Sequence, residues 1–141
     1  MKSVAEIDRE IVEDFELFDQ WPDRYHYIIE LGQKLDPMPP EYKVDQNKVK
    51  GCQSSVWIFP ERKGERLFFH CDSDSVFVKG EIALLMKLLQ NRTPDEILNA
   101  PIHFIEEIGL QKHIAPTRAN GLVAIIKQVK YYALALSAKN D

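Results

Sequence analysis

Nowhere does this chain hold anything like the roughly 20 consecutive apolar residues that a helix needs to cross a bilayer, so no membrane partner is expected. Its first residues, Met1-Lys2-Ser3-Val4-Ala5-Glu6-Ile7-Asp8, reach acidic side chains at once and lack the apolar centre of a secretory signal. A cytoplasmic protein is expected. Positive charge is in short supply as well: 18 Lys and Arg against 22 Asp and Glu leave a net charge of −4. That balance lacks the basic footprint of phosphate-backbone binding and argues against nucleic acid. Cysteine is scarcer still, at Cys52 and Cys71 only. Two thiols are too few for an all-cysteine iron-sulfur site, and nothing else resembles a small disulfide-held scaffold. With four scattered histidines they also lack zinc-ligand spacing, so reduced thiols and no metal or cofactor are expected. Repeats and low-complexity runs are missing too. A chain of 141 residues is then long enough for one real core and too short for two, which makes residues 1–141 a single domain.

Local signals are plentiful. Ser3-x-x-Glu6 reads as a capping box, and Ile7, Ile11, Phe15 and Phe18 follow at near-helical spacing, which predicts a helix to about Phe18. Pro22 suits the first turn of a second helix ending near Leu35. Pro37, Pro39 and Pro40 forbid its continuation, and the charged stretch to Lys50 reads as a mobile surface loop. Alternation over Ser55 to Phe59 and Leu67 to Cys71 predicts an antiparallel hairpin turning over Pro60 to Gly64. Two strands alone are marginal in water, so a third strand or a covering helix is required. Val76 to Leu89 is apolar on almost every face and predicts a buried central helix, with any of Asp72, Ser73, Asp74 or Ser75 able to cap it. Thr93-Pro94-x-Glu96 opens a short helix to about Asn99; another covers Ile102 to Ile108 and stops at Gly109. A last helix opens at Pro116 and carries Leu122, Ile125, Val129, Tyr132 and Leu136 on one face, packed on the core or, less simply, forming a dimer seam. The sum is an α+β domain, a small antiparallel sheet covered by helices.

Cys52 stands where the Lys43, Lys48 and Lys50 loop gives way to the first strand. Cysteine used for packing more often lies inside an apolar run, so this placement suggests a presented nucleophile, although a half-buried structural thiol fits the local sequence equally. Gly51 beside it permits a positive φ or the close approach of an incoming group. Cys71 falls in phase with Leu67 and Phe69 on one strand face and reads as packing. His26, His70, His103 and His113 invite a cysteine-histidine pair, but no spacing singles one out.

The run Gly51-Cys52-Gln53-Ser54-x-Val56-Trp57 resembles the signature of the SufE family, sulfur acceptors of cysteine desulfurases in iron-sulfur cluster assembly. Tyr27-Ile28-Ile29-Glu30-Leu31-Gly32, Asp72-Ser73-Asp74 with Val78-Lys79-Gly80, and His113-x-x-Pro116-x-Arg118-x-x-Gly121-Leu122 follow in the family's order and spread the resemblance over nearly the whole chain. It implies a SufE/IscU-like fold and a protein that is not an enzyme alone. Cys52, on an exposed or swinging loop, would take sulfur from the persulfide of a PLP-dependent SufS-type desulfurase, stimulate its turnover and feed a scaffold such as a SufBCD-type complex. The PLP would belong to the partner. Gly51, Gln53, Trp57, Asp72, Asp74 and Arg118 would support the site or form an acidic, Trp- and Arg-bearing docking surface. Arg118 would steady a thiolate or a partner's carboxylate, or else pair with Asp72 or Asp74; the Asp72-Ser73-Asp74 run would cap the central helix or hold the Cys52 loop. A CsdE-type acceptor feeding another pathway is the near alternative. A cysteine hydrolase and a non-catalytic interaction module are the distant ones, and a homodimer is left open.

Overall fold

The computed structural model describes residues 1–110 and, from 116 to 137, the final helix, whose side chains are described from 121 onward. Helix α1 (Val4–Phe15) starts on the expected capping box, with Ser3 Oγ accepting from the Glu6 N–H and the Glu6 carboxylate accepting from the Ser3 N–H. It ends one turn short of Phe18. That ring instead packs on Tyr27 with centroids 5.0 Å apart, and the chain folds back into α2 (Trp21–Gln33).

Strands β1 (Val56–Lys63) and β2 (Arg66–Ser73) pair in register from Val56 against Ser73 to Lys63 against Arg66. The hairpin is longer than the alternation suggested, because β1 runs straight through Pro60 and only Gly64 and Glu65 turn. Pro60 is tolerated for a reason visible in its partner. The N–H and C=O of Phe69, opposite Pro60, both point away from β1 and bond the Gln90 side chain at 2.7 Å each, so the ladder asks no N–H of residue 60. The same Gln90 covers the outer edge of β2, helped by backbone bonds between Leu67 and residues 91 and 92. On the other edge the Val49 N–H donates to the Val56 carbonyl. Edges blunted this way need no third strand, and among the described residues the sheet has two.

Helix α3 (Val76–Leu89) buries 11 of its 14 residues and is the centre of the core, as its all-round apolarity predicted. Its cap is Ser75, whose Oγ accepts from the Val78 N–H. The backbones of α2 and α3 touch where Gly32 meets Gly80. A Cβ at Gly80 would lie 2.1 Å from the Ile28 carbonyl oxygen, and one at Gly32 would lie 2.7 Å from the Gly80 nitrogen. Helix α4 (Pro94–Leu98) begins on the Thr93–Glu96 capping box. Helix α5 (Phe104–Glu107) is shorter than the expected Ile102 to Ile108, since its first N–H groups, those of His103 and Phe104, are held by the buried Asp8 carboxylate at 2.9 Å. Gly109, at φ +77, ends it. Helix α6 (Pro116–Ser137) lays Leu122, Ile125, Val129 and Ala133 into the core, the one-face packing expected, and leaves Val123, Tyr131 and Leu134 exposed. No helix among the described residues is long and apolar enough to cross a membrane.

Candidate functional site

The segment from Pro37 to Lys50 is anchored, in contrast to the mobile loop its prolines and charges suggested. Two 3-10 turns, Pro40–Tyr42 and Asp45–Asn47, shape it, while Met38, Asn47 and Val49 are buried. Tyr42 stacks on Phe59 at 4.2 Å, and the Asn47 amide donates to the Tyr42 carbonyl at 2.8 Å. What remains free lies between two pins. On one side Val49 is bonded to Val56. On the other, Asp74 Oδ1 accepts the Ser55 N–H at 3.0 Å, and the Ser55 carbonyl accepts from Ser73 Oγ and the Asp74 N–H. Gly51, Cys52 and Gln53 sit on the short stretch between these pins, which turns sharply at Gly51 with φ +90.

The thiol is not displayed at the surface. Cys52 is half-buried, and its Sγ donates to the Gly121 carbonyl of α6 at 3.5 Å. It closes a niche of only about 10 Å³, which Val78, Glu81, Leu122 and Ile125 also line. Burial pushes the thiol above the ordinary cysteine range, and the Glu81 charge pushes it further the same way. In this position the sulfur is a protonated thiol at neutral pH, and the nucleophilic form requires the loop to leave the niche or a partner to change its surroundings.

Glu81 is 2 % exposed and is the residue that reading the sequence missed. The signal was present: it is the only carboxylate in a helix otherwise apolar on almost every face.

The other expected residues fall into separate groups. Trp57 and Asp72 face each other across the ladder, with Lys43 Nζ 4.9 Å over the indole and 2.9 Å from Asp72 Oδ2. Burial works against the Asp72 charge, but Lys43, the Ser73 N–H and Lys79 outweigh it and hold the carboxyl below its usual range. Neither Asp72 nor Asp74 caps α3. Asp74 holds the Cys52 loop instead, and Asp72 pairs with Lys43 and Lys79. Gln53 is exposed. His113 and the side chain of Arg118 lie outside the described residues. Cys71 is buried and pushed up to about 12 by that burial and then by Asp72, so it is inert as a nucleophile. His26 pairs with Glu30 and His70 with Glu61; no hydrogen bond joins a described histidine to Cys52.

Residues 9–133 match the model of the SufE family, described as an Fe-S metabolism associated domain. The chain belongs to the SufE family. It is 36 % identical over 126 residues to an uncharacterised SufE-like protein of Rhizobium meliloti (strain 1021), a match covering 86 % of this chain and 90 % of that one. The solution structure of a hypothetical protein from Thermus thermophilus superposes with a TM-score of 0.75 at 21 % identity, covering 92 % of this chain and 94 % of the other, which shows the α+β fold. Membership places the protein in iron-sulfur metabolism. Within this SufE chain the motif residues divide by geometry: Gly32 and Gly80 serve the crossing of α2 and α3, Gly121 meets the Cys52 thiol, and Asp74 holds the Gly51-Cys52 turn through Ser55. Replacing the buried carboxylate tests the electrostatics of that niche. Glu81→Gln is expected to shift the pH midpoint of Cys52 alkylation downward, because one of two causes that raise it is removed. Iodoacetamide rates against pH, read on a Cys71→Ser background, check this; an unmoved midpoint would assign the whole shift to burial.

Proposed function

We propose that this SufE-family protein is a cytoplasmic sulfur carrier, a single domain whose Cys52 accepts sulfane sulfur from a PLP-dependent, SufS-type cysteine desulfurase. The Cys52 thiolate attacks the terminal sulfur of the donor's persulfide, a new S–S bond forms at Cys52, and the donor cysteine leaves as a thiolate with the electron pair of the broken bond. No oxidant is needed, since the sulfane sulfur only changes carriers. The recipient is an iron-sulfur scaffold such as a SufBCD-type complex. PLP stays with the donor, and removing its persulfide frees the donor for another cysteine, so its turnover rises.

The observation that carries this reading is the placement of Cys52 on a short stretch between two backbone anchors, next to Gly51 at positive φ, with no histidine base among the described residues bonded to it. A hydrolase requires a base in reach of its nucleophile. A persulfide acceptor requires only a thiol that can leave a shielded niche and meet a sulfur held in another protein's pocket. Shielding serves the carrier role, because a half-buried, protonated thiol resists oxidation until the partner arrives.

Intact-protein mass spectrometry after incubation with a cysteine desulfurase, PLP and cysteine is the test. The expected result is a gain equal to one or more sulfur atoms, reversed by a thiol reductant. No gain with a desulfurase that turns over would overturn the relay and leave the interaction-module reading.

A further inference from the structure

An open groove of about 760 Å³ runs beside the Cys52 loop, between residues 46–51 and the outer face of α6. Lys48, Lys50 and Lys127 line it together with Val123, Tyr131 and Tyr132, and no Asp or Glu is among its described lining residues. This concentration is unusual for the chain, which has 22 acidic residues against 18 basic ones. Residues 116–137 contain no carboxylate at all. Of the three lysines, Lys48 is held by Asp45 at 3.5 Å and stands 5.7 Å over Trp57. Lys50 and Lys127 are in no ion pair among the described residues, and both are exposed. Beside them the apolar surface is open, with Tyr131 63 % and Val123 42 % exposed. On this side the flank of the thiol loop is therefore basic and aromatic.

We propose that this groove docks an acidic segment of the sulfur-donor protein, with carboxylates on Lys50 and Lys127 and an apolar or aromatic side chain against Val123 and Tyr131. The inference rests on the relay proposed above and names the surface that would guide it. Charge complementarity selects the occupant. Three lysines around an apolar floor suit a carboxylate-bearing polypeptide, whereas a nucleic acid spreads its contacts over many phosphates and would meet a chain of net charge −4. Location selects its origin. Gly51 is part of the groove wall, and its Cα faces the Ala124 methyl, 3.5 Å from where a Cβ would stand. Any chain lying here presses on the turn that carries Cys52, and Cys52 is here the free, unloaded thiol, the form that meets the donor and not the recipient, so the occupant is the donor. Opposite charge at a rim acts chiefly on the rate of encounter and fades as salt screens it.

The test measures association of the Cys52→Ser protein with the PLP-loaded desulfurase of the same organism by stopped-flow fluorescence, so that binding is read without sulfur transfer. Lys50→Glu with Lys127→Glu is expected to slow association about tenfold at low salt, with the difference shrinking toward about 0.5 M salt. Lys50→Arg with Lys127→Arg is expected to associate as the parent does. Both pairs are exposed, and unchanged melting temperatures would confirm intact folds. An unchanged association rate on charge reversal overturns the proposal, as does a parent protein that fails to bind the donor. So does a dimer of this chain, seen by sedimentation and dissolved by the reversal, because the occupant would then be a second copy. Sulfur mass on Cys52 in the wild-type background is read separately. Sulfur gained with docking unaffected by charge sinks the groove alone; docking lost on reversal with no sulfur gained sinks the relay alone.

Discussion

Cys52→Ser is expected to gain no sulfur from a cysteine desulfurase and to leave the desulfurase at its unaided turnover, while Cys71→Ser does both as the wild type does. The hydroxyl is nearly the size of the thiol and still has the Gly121 carbonyl to donate to, so the niche and the two anchors at Val49 and Asp74 persist. What disappears is the nucleophile: a serine hydroxyl is un-ionised at neutral pH and does not displace a thiolate from sulfane sulfur. The loss should be complete, with unchanged circular dichroism to show that the fold survives. Cys71 is the informative control. It is buried on the core face of β2, and that burial pushes its thiol up to about 12. Its replacement puts a hydroxyl into an apolar site, which costs about 1–3 kcal/mol if no partner is found. Stability should fall and sulfur uptake persist. Persulfide on the Cys52→Ser protein, or its loss from Cys71→Ser under folded conditions, would place the acceptor on the wrong thiol.

Gly80→Ala is expected to be the most damaging single methyl in the molecule. The added carbon would meet the Ile28 carbonyl oxygen at 2.1 Å and its carbonyl carbon at 2.7 Å, both backbone atoms of the neighbouring helix. A flexible side chain could move aside; a helix backbone moves only as a unit. Alanine is favoured over glycine in a helix interior by about 1 kcal/mol, but overpacking usually costs about 1–3 kcal/mol, and a backbone clash belongs at the top of that range or beyond. Separation of α2 from α3 would also loosen the burial of Ile28 and Ile82, both fully inaccessible. A net loss of about 2 kcal/mol or more follows, which for a chain of this size lowers the melting temperature by roughly 4–8 °C. Gly64→Ala separates clash from backbone strain. Nothing lies within 4 Å of its Cβ position, so its cost is the left-handed φ of +62 alone, about 1 kcal/mol. Equal melting temperatures for the Gly80 variant and the wild type would show that α2 yields freely.

Much of this molecule is set by neighbours in the chain. Ser3 with Glu6 and Thr93 with Glu96 close capping boxes within three residues, Gly109 stops α5 from its own φ, and the apolar faces of Val76–Leu89 announce a buried helix. Signals of this kind depend on local geometry, which is why they survive folding unchanged. The loop-to-strand position of Cys52 is of the same sort, and so is the motif that led to the family. Where local reading went astray, a distant group had taken over. Pro60 stays in β1 because Gln90 occupies the backbone of its partner Phe69, and the stretch before Cys52 is anchored because Tyr42 finds Phe59.

By itself the sequence determined the element types, most of their ends, the central helix and which thiol is the candidate nucleophile, since each follows from propensity, capping, period or motif over a few residues. Only the tertiary structure decided that the thiol turns inward onto the Gly121 carbonyl beside the buried Glu81, that Gly32 and Gly80 let two helices touch, and that Lys50 and Lys127 share one groove. Each of these joins residues far apart in the chain. Their proximity comes from the packing of whole elements, and no local pattern encodes it.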